Sequence, residues 1–397
     1  MDSALTATGA RPTVSDTLSL EEQIARLQAL LEASRQVHST IKLDEVLTQT
    51  AHILVRELEM DGAAFLAPAT GELMASFGSL PDAPYETCAR FPLLSKDDQM
   101  LAELVVATNS HRLTLYEQDF IEGLVLQAAV ALENATLHER DMEWARVQQD
   151  LDAARLIQRS LLPKTMPEVK GFSIAARTTP CYEVGGDYLD TITLPDGVHL
   201  MVVADVAGKG LASALVSTSF RSALRSLMTQ PIPLKEIVTR IGQQHWEEGV
   251  EAQRRYVTAI FMKLNTVKHE IEVVNAGHNP GALIFPDGTI RMIDASGTPL
   301  GMLPGMTYEA ETLPFPPGSR ILLYTDGLTE VFCGEDEFGS ERLAQEFRDN
   351  TFHDAERILE CLWVSLAMFS ANAHQTDDMT AIAVCHLSPS QQEIAQP

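Results

Sequence analysis

Four short motifs in the second half of the chain each set an aspartate at the end of a strand-like run: Glu183-Val184-Gly185-Gly186-Asp187, Ala204-Asp205-Val206-Ala207-Gly208-Lys209-Gly210, Tyr324-Thr325-Asp326-Gly327 and Thr376-Asp377-Asp378-Met379-Thr380. The first two are related by arithmetic. Tyr188 to Leu194 and Val198 to Ala204 are strand-like, and Pro195-Asp196-Gly197 between them reads as a hairpin turn. Folding about Asp196 puts Asp187 opposite Asp205. Side chains directly opposed on antiparallel strands have Cβ atoms about 4.5–5.5 Å apart, and two like charges so placed destabilise the pair unless something positive lies between them. A divalent cation meets that need.

The other two motifs converge by the same reasoning. Arg320 to Thr325 is a strand ending at Asp326, and Met379 to Val384 is a strand that begins just after Asp377-Asp378. Antiparallel pairing of the two brings their acidic ends together. Carboxylates without His or Cys at ligand spacing are hard oxygen donors, suited to Mg²⁺ or Mn²⁺ rather than to zinc or copper. Asp-Gly is also ordinary turn chemistry, which is the full reading of Asp196-Gly197 and a competing one for Asp326-Gly327.

Composition narrows the class. A chain of 397 residues, 45% hydrophobic and 21% charged, is expected to form two globular domains. The formal charge of −26 argues against binding a phosphate backbone, which is held by Lys and Arg. Cys88, Cys181, Cys333, Cys361 and Cys385 show neither paired spacing nor a zinc pattern, as reduced cytoplasmic thiols do. No uninterrupted apolar run reaches roughly 18 residues, and the N-terminus lacks a signal-peptide plan, so the expectation is a cytoplasmic protein without membrane insertion.

With Asn275-Ala276-Gly277-His278-Asn279-Pro280 and Gly297-Thr298-Pro299-Leu300-Gly301 added, the motif series resembles the metal-dependent (PPM) serine/threonine protein phosphatases, in the bacterial branch typified by sporulation protein E and RsbU. The resemblance runs from about Ile157 to His386 and includes the helix-ending Ile157-Gln158-Arg159-Ser160-Leu161-Leu162-Pro163. It implies a catalytic set of Asp187, Asp205, Asp326 and Asp377 around two Mn²⁺ or Mg²⁺ ions. Asp205 is then shared by both ions, the Val206 carbonyl is a further ligand, Asp326 and Asp377 hold the second ion, and Asp187 completes the shell. Asp378 is a second candidate beside Asp377. Two such ions supply an activated water and charge compensation for in-line displacement at phosphorus, with no Ser or Cys nucleophile. The wider family places an arginine shortly before the first metal-binding aspartate. Here Pro180-Cys181-Tyr182-Glu183 stands there, leaving the phosphate-contacting group open. Lys209 reads either as a positive charge in the acidic cleft or as a solvated lysine in a turn. His278 reads as a proton donor or as the tie of a tight loop. Glu183 and Asp190 match the family pattern, with a plain solvated role the alternative.

The expected organisation is a tail over 1–18, a sensory or dimerisation domain over 19–138, a helical linker over 139–165, an α+β catalytic domain over 166–388 and a tail over 389–397. Leu20, Ile24, Leu27 and Leu31, then Leu43, Val46, Leu47, Ile53 and Leu54, recur at helical spacing and predict two helices broken near Ser39-Thr40. Strands over Gly62 to Leu66, Leu73 to Phe77, Cys88 to Leu93 and Leu101 to Ala107 follow, then a helix from Leu115. This order resembles a GAF domain, which implies either a site for a small-molecule or protein activator or plain dimerisation. Cys88, His111 and Tyr85 are the polar residues a ligand would meet; satisfied structure is the alternative for each. Leu115 to Leu162 reads as one long helix or two. Leu137, Trp144 and Leu151, with Val147, Ala154 and Leu161 three residues out of phase, form an a/d seam that Arg140 and Gln158 interrupt. That seam predicts a parallel homodimer through the GAF-like domain and linker, with a helix covering the catalytic domain as the competing reading. In the catalytic domain the expected architecture is two stacked antiparallel sheets flanked by helices.

The resemblance implies a phosphatase acting on a phosphorylated regulatory protein, an anti-sigma-factor antagonist of STAS fold in a partner-switching pathway. A diguanylate cyclase, suggested by Gly185-Gly186-Asp187 behind a GAF-like domain, leaves the Asp326 and Asp377-Asp378 motifs unexplained. The remaining alternative is a catalytically silent metal-binding scaffold.

Overall fold

The structure is a computed structural model and describes residues 14–108, 112–350, 354–371 and 375–388; the side chains of 14–23 and 26 are outside that description. It divides into two compact units, one up to Val147 and one from Gln148, a division that falls inside the expected linker.

The N-terminal unit opens with helices α1 (Val14–Val37) and α2 (Leu43–Glu57). The first begins within the expected tail: Ser15, Asp16 and Thr17 are residue types that suit a helix N-terminus, and a polar first turn shows no apolar period. The rest of that tail, the tail over 389–397 and His111 lie outside the described residues. Strands β1 (Gly62–Leu66), β2 (Leu73–Gly78), β3 (Ala89–Leu94) and β4 (Met100–Ala107) form an antiparallel sheet in the order β2-β1-β4-β3. Its core takes Val46, Leu47 and Leu54 from α2, Phe65 and Leu104 from the sheet, and Phe120, Ile121 and Leu124 from helix α3 (Leu115–Leu161). Tyr85 and Cys88 pack with Leu80 on Ala64, Leu66 and Val105. Helix α3 is continuous for 47 residues. One 18-residue window of it is apolar enough to cross a membrane by composition, and half of that window is buried within the fold, as in a core helix.

The C-terminal unit contains β5 (Phe172–Thr179), β6 (Tyr188–Leu194), β7 (Val198–Val206), α4 (Leu211–Leu227), α5 (Leu234–Glu247), α6 (Val250–Gln253), β8 (Val257–Asn265), β9 (Glu270–Ala276), β10 (Gly281–Ile284), β11 (Ile290–Ile293), β12 (Glu311–Pro314), β13 (Arg320–Tyr324), β14 (Phe332–Cys333), β15 (Asp336–Glu337), α7 (Gly339–Asp349), α8 (Ala355–Phe369) and β16 (Met379–His386). Two antiparallel five-stranded sheets, β11-β10-β13-β16-β5 and β12-β9-β8-β7-β6, stack face to face. Alternation along the strands decides which side chains fill which layer. Met201 and Val203 of β7 meet Leu323 of β13 and Ile382 of β16 between the sheets. Leu200, Val202 and Ala204 point the other way, onto Phe220 and Leu224 of α4 and Ile237 and Ile241 of α5. Leu322, Tyr324, Ala381 and Ala383 likewise face Leu343 and Phe347 of α7 and Ile358 and Leu362 of α8. The result is the expected pair of sheets between helical layers.

Candidate active site

The hairpin arithmetic holds. Tyr188 pairs with Ala204 and Leu194 with Val198, so Asp187 and Asp205 occupy the next opposed positions of the β6–β7 ladder. The turn that fixes this register has φ of 60° at Asp196 and 71° at Gly197, both left-handed as in a type I′ turn, and the Val198 amide donates across it to the Pro195 carbonyl. On the facing sheet Tyr324 pairs with Ala381, which brings Asp326, just past the end of β13, beside Asp377 and Asp378, just before β16. Asp326 starts a 3-10 turn through Leu328, which realises the turn reading of Asp326-Gly327 while leaving its carboxylate beside Asp377 and Asp378.

The two pairs belong to one site. A Cβ at Gly185 would run into the Asp378 carboxylate, and one at Gly327 would strike the Asp378 carbonyl. At Gly186 an added Cβ would come within 2.8 Å of the Val206 carbonyl oxygen and 3.2 Å of Asp205 Oδ1. These glycines therefore permit the close approach of the four segments. Thr325 ties the sheets together: its hydroxyl donates to Asp187 Oδ2 at 2.8 Å, while its oxygen accepts from the Thr380 amide at 3.0 Å.

The electrostatics record the crowding. Burial, and then Asp205, push the Asp187 carboxyl well above the usual carboxylate range. Burial followed by Asp326, Asp377 and Asp378 pushes Asp205 up to about 7. Burial raises Asp326, aided by Asp377, and raises Asp378 against the opposing hydrogen bond from the Cys181 amide. Each shift reports a site in which negative charge lacks compensation.

Several carboxylates are turned toward internal donors. Cys181 N–H donates to Asp378 Oδ1 at 2.7 Å. Lys209 Nζ lies 2.9 Å from Asp377 Oδ2 and donates to the Thr376 carbonyl at 2.7 Å. In this arrangement, no three acidic, cysteine or histidine side chains among the described residues stand in one ion's ligand geometry. The donor set nevertheless fits hard divalent ions: it is all oxygen, adds the Val206 carbonyl, and carries the excess negative charge that a cation relieves. Lys209 is thus paired within the acidic cleft, not merely solvated.

Other expectations fare differently. His278 is buried, its Nδ1 2.8 Å from Thr258 Oγ1, and its amide donates to Asn275 Oδ1 at 2.8 Å. Burial pushes its imidazole down to about 4. A neutral ring locked in the Asn275–Pro280 loop answers to the loop-tying reading. Asp190 contradicts the solvated role: it is fully buried, receives Arg225 Nε at 2.8 Å and Nη2 at 2.7 Å, and accepts the Tyr188 hydroxyl at 2.5 Å. Arg225 lies on α4, a partner no local motif reveals. Glu183 is half-buried near the site.

Gln158, which breaks the heptad seam, has a different task. Its Nε2 donates to the Gly185 carbonyl at 2.7 Å and its Oε1 accepts the Gly185 amide at 3.3 Å, clamping the turn that carries Asp187. Arg221 Nε donates to the Leu161 carbonyl at the end of α3. Over these last turns the covering reading of the helix is the correct one. Earlier seam residues Leu137, Trp144 and Val147 are exposed. Sequence reasoning missed Thr325 as an organiser and Glu330, whose carboxyl is raised by burial and by Asp326 and Asp377. The proximity of Glu330 to Asp326, four residues on, was the available signal.

Comparison with known proteins finds similarity concentrated in the C-terminal unit. The family model for stage II sporulation protein E (SpoIIE) matches residues 195–387, a span that holds Asp205, Asp326, Asp377 and Asp378 but begins after Asp187. Protein IcfG of Synechocystis is 26% identical over 266 residues, covering 59% of this chain and 41% of IcfG. The phosphoserine phosphatases RsbP and RsbU of Bacillus subtilis are 27% and 25% identical, over 59% and 67% of this chain and 57% and 78% of their own lengths. The chain thus spans about two fifths of IcfG and somewhat over half of RsbP. The SiaA-PP2C domain of Pseudomonas aeruginosa superposes with a TM-score of 0.53 at 24% identity, over 61% of this chain and 97% of that domain. Residues 195–387 thus match the SpoIIE family model, and the C-terminal unit shares the fold of the SiaA-PP2C domain.

Proposed function

We propose that this protein is a metal-dependent phosphatase that hydrolyses phosphoserine or phosphothreonine on a small regulatory protein. The observation that carries the reading is the convergence of Asp187, Asp205, Asp326, Asp377 and Asp378, from four separate segments, on one end of the sandwich, where Lys209 pairs with Asp377 and the carboxyls of the other four are raised. Bound there, two Mn²⁺ or Mg²⁺ ions supply an activated water and charge compensation for an in-line displacement. Asp205, the Val206 carbonyl, Asp326 and Asp377 would hold these ions, and Asp187, whose carboxylate accepts the Thr325 hydroxyl, would complete the set from the opposite strand. Lys209 positions Asp377. Burial and then Asp378 raise the Cys181 thiol, which keeps it protonated and unsuited to act as a nucleophile.

The relatives named as phosphoserine phosphatases support a phosphorylated protein as substrate, and the family resemblance narrows it to a STAS-type anti-sigma-factor antagonist in a cytoplasmic partner-switching pathway. We assign the N-terminal unit a GAF-like role in dimerisation or activator binding. Exposed apolar residues support a homodimer: Ile24, Leu27 and Leu31 on α1, and Leu126, Leu137, Trp144 and Val147 on α3. Leu126, Leu137 and Trp144 fall within about 20° of one another around the helix axis at 3.6 residues per turn.

The test is hydrolysis of p-nitrophenyl phosphate and of a phosphoserine protein with Mn²⁺, Mg²⁺ or chelator, comparing the full chain with Asp326→Asn. Metal-dependent turnover abolished by the substitution supports the reading. Metal binding without turnover in any condition supports a silent scaffold instead.

A further inference from the structure

A cavity of about 900 Å³ opens beside the acidic end of the sandwich, within the C-terminal unit. Five consecutive residues of β5, Ile174 to Thr178, border it. Alternate residues of a strand point to opposite faces. A cavity that touches all five therefore runs along the strand's edge and not over one face. β5 is the end strand of its sheet and pairs only with β16, so that edge offers backbone donors and acceptors without a strand partner among the described residues. Neither proline nor lysine interrupts Phe172–Thr179 to blunt it, and its one cation, Arg177, lies over the Trp363 ring of α8.

The facing wall is the end of α3 and the segment after it, where Arg155, Arg159 and Lys164 line the cavity. Arg155 Nε is buried without a hydrogen-bond partner. In a chain of net charge −26 this basic wall is a local reversal of sign; Arg177 of β5 adds a further cation, while Glu183 and, from α8, Glu356 and Glu360 line the cavity too. Asp187 and Asp378 also border the cavity, which makes it continuous with the candidate active site.

Resting on the phosphatase reading above, we propose that this groove receives an extended segment of the phosphoprotein substrate, added as a further strand on the edge of β5. Main-chain hydrogen bonds to β5 supply affinity, and acidic side chains at alternate positions, all on one face of the added strand, meet Arg155, Arg159 and Lys164. The phosphorylated residue then lies at the Asp187 end. The arginine that the motif region lacks is replaced, for substrate binding though not for the chemistry, by cations on the entering helix.

The experiment uses the full chain with Mn²⁺ and three probes: p-nitrophenyl phosphate, a phosphoserine decapeptide with Glu at alternate positions, and the same peptide N-methylated at alternate backbone amides. The unmodified peptide is expected to show kcat/KM about tenfold above the methylated one, mainly through KM, because methylation blocks strand addition. Arg155→Ala with Arg159→Ala should lower the ratio of peptide to p-nitrophenyl phosphate kcat/KM by about tenfold. Equal turnover of the two peptides by the unsubstituted protein overturns the groove even if the double variant fails to fold. An unchanged ratio accompanied by a changed molecular mass assigns the groove to a second copy of the chain and overturns the proposal as well. Absence of p-nitrophenyl phosphate turnover with any metal overturns the phosphatase reading itself, and the groove's substrate with it.

Discussion

Asp187 and Asp190 stand three residues apart around the start of one strand, and the protein compensates them in opposite ways. Asp190 is fully buried and accepts two hydrogen bonds from Arg225, one from the Tyr188 hydroxyl and one from the Thr191 amide. Its charge is balanced from within. Asp187 has the Thr325 hydroxyl but faces Asp205 across the ladder, and burial and that neighbour drive its carboxyl upward. A buried charge needs a partner, because desolvation costs several kcal/mol per ion. Asp190 serves the fold. Asp187, in the proposed reading, holds a place for a cation from outside, and the fold tolerates its repulsion from Asp205 until that cation binds.

Substituting an aspartate of each kind by its amide separates the two roles. Asp205→Asn should lower metal-dependent phosphoserine turnover by about 10³-fold or more, by removing the carboxylate shared between the ions. Its metal-free thermal stability should hold or rise, because a repulsive charge is gone. Asp190→Asn should show the reverse. Breaking the Arg225 pair is expected to cost about 3 kcal/mol in chemical denaturation, the lower end for a buried pair because Arg225 is partly exposed. Turnover per folded molecule should change far less than in Asp205→Asn. Similar effects from both substitutions would dissolve the contrast.

His278 buries an ionisable group in a third way, by remaining neutral. Its folded value near 4 lies below the ordinary 6.5. Between those values the unfolded chain binds the proton and the folded one does not, so stability falls as pH drops from about 6.5 toward 4. The full window is worth about 3 kcal/mol. Denaturation midpoints across that range should therefore slope less in His278→Gln than in the unsubstituted protein. The smallest expected effect is at Gln158. Gln158→Ala removes both hydrogen bonds to Gly185 and should cost about 1–2 kcal/mol. It should also raise the Mn²⁺ concentration for half-maximal activity about tenfold, the range seen when supporting partners of ligands are lost.

What could be read from the sequence followed the range of the interaction. The β6–β7 register was legible because the left-handed turn at Asp196-Gly197 fixes it locally. Periodicity showed the strands that became β13 and β16, and the aspartates at their ends suggested that the two meet. Only the ladder from Arg320–Cys385 to Tyr324–Ala381 makes them neighbours and sets Asp326 beside Asp377-Asp378.

Other contacts were out of reach for the same reason. Arg225 meets Asp190 from 35 residues away, so a buried pair looked like a solvated acid. Gln158 reaches Gly185 across 27 residues and looked like a flaw in a coiled-coil seam. β5 escaped notice because both of its faces are covered: Ile174 and Ala176 pack between the sheets and Ala175 packs on the outer layer, so apolar and polar residues do not alternate along it.

The most direct test of the central claim is Mn²⁺-dependent thermal unfolding of the unsubstituted chain beside Asp205→Asn. At about 100 times its dissociation constant, an ion that binds only the folded state adds about 2.7 kcal/mol, or roughly 5–11 °C for a unit of this size. The account predicts that shift in the unsubstituted protein and its loss in Asp205→Asn. An equal shift in both, or none in the unsubstituted protein, would contradict it.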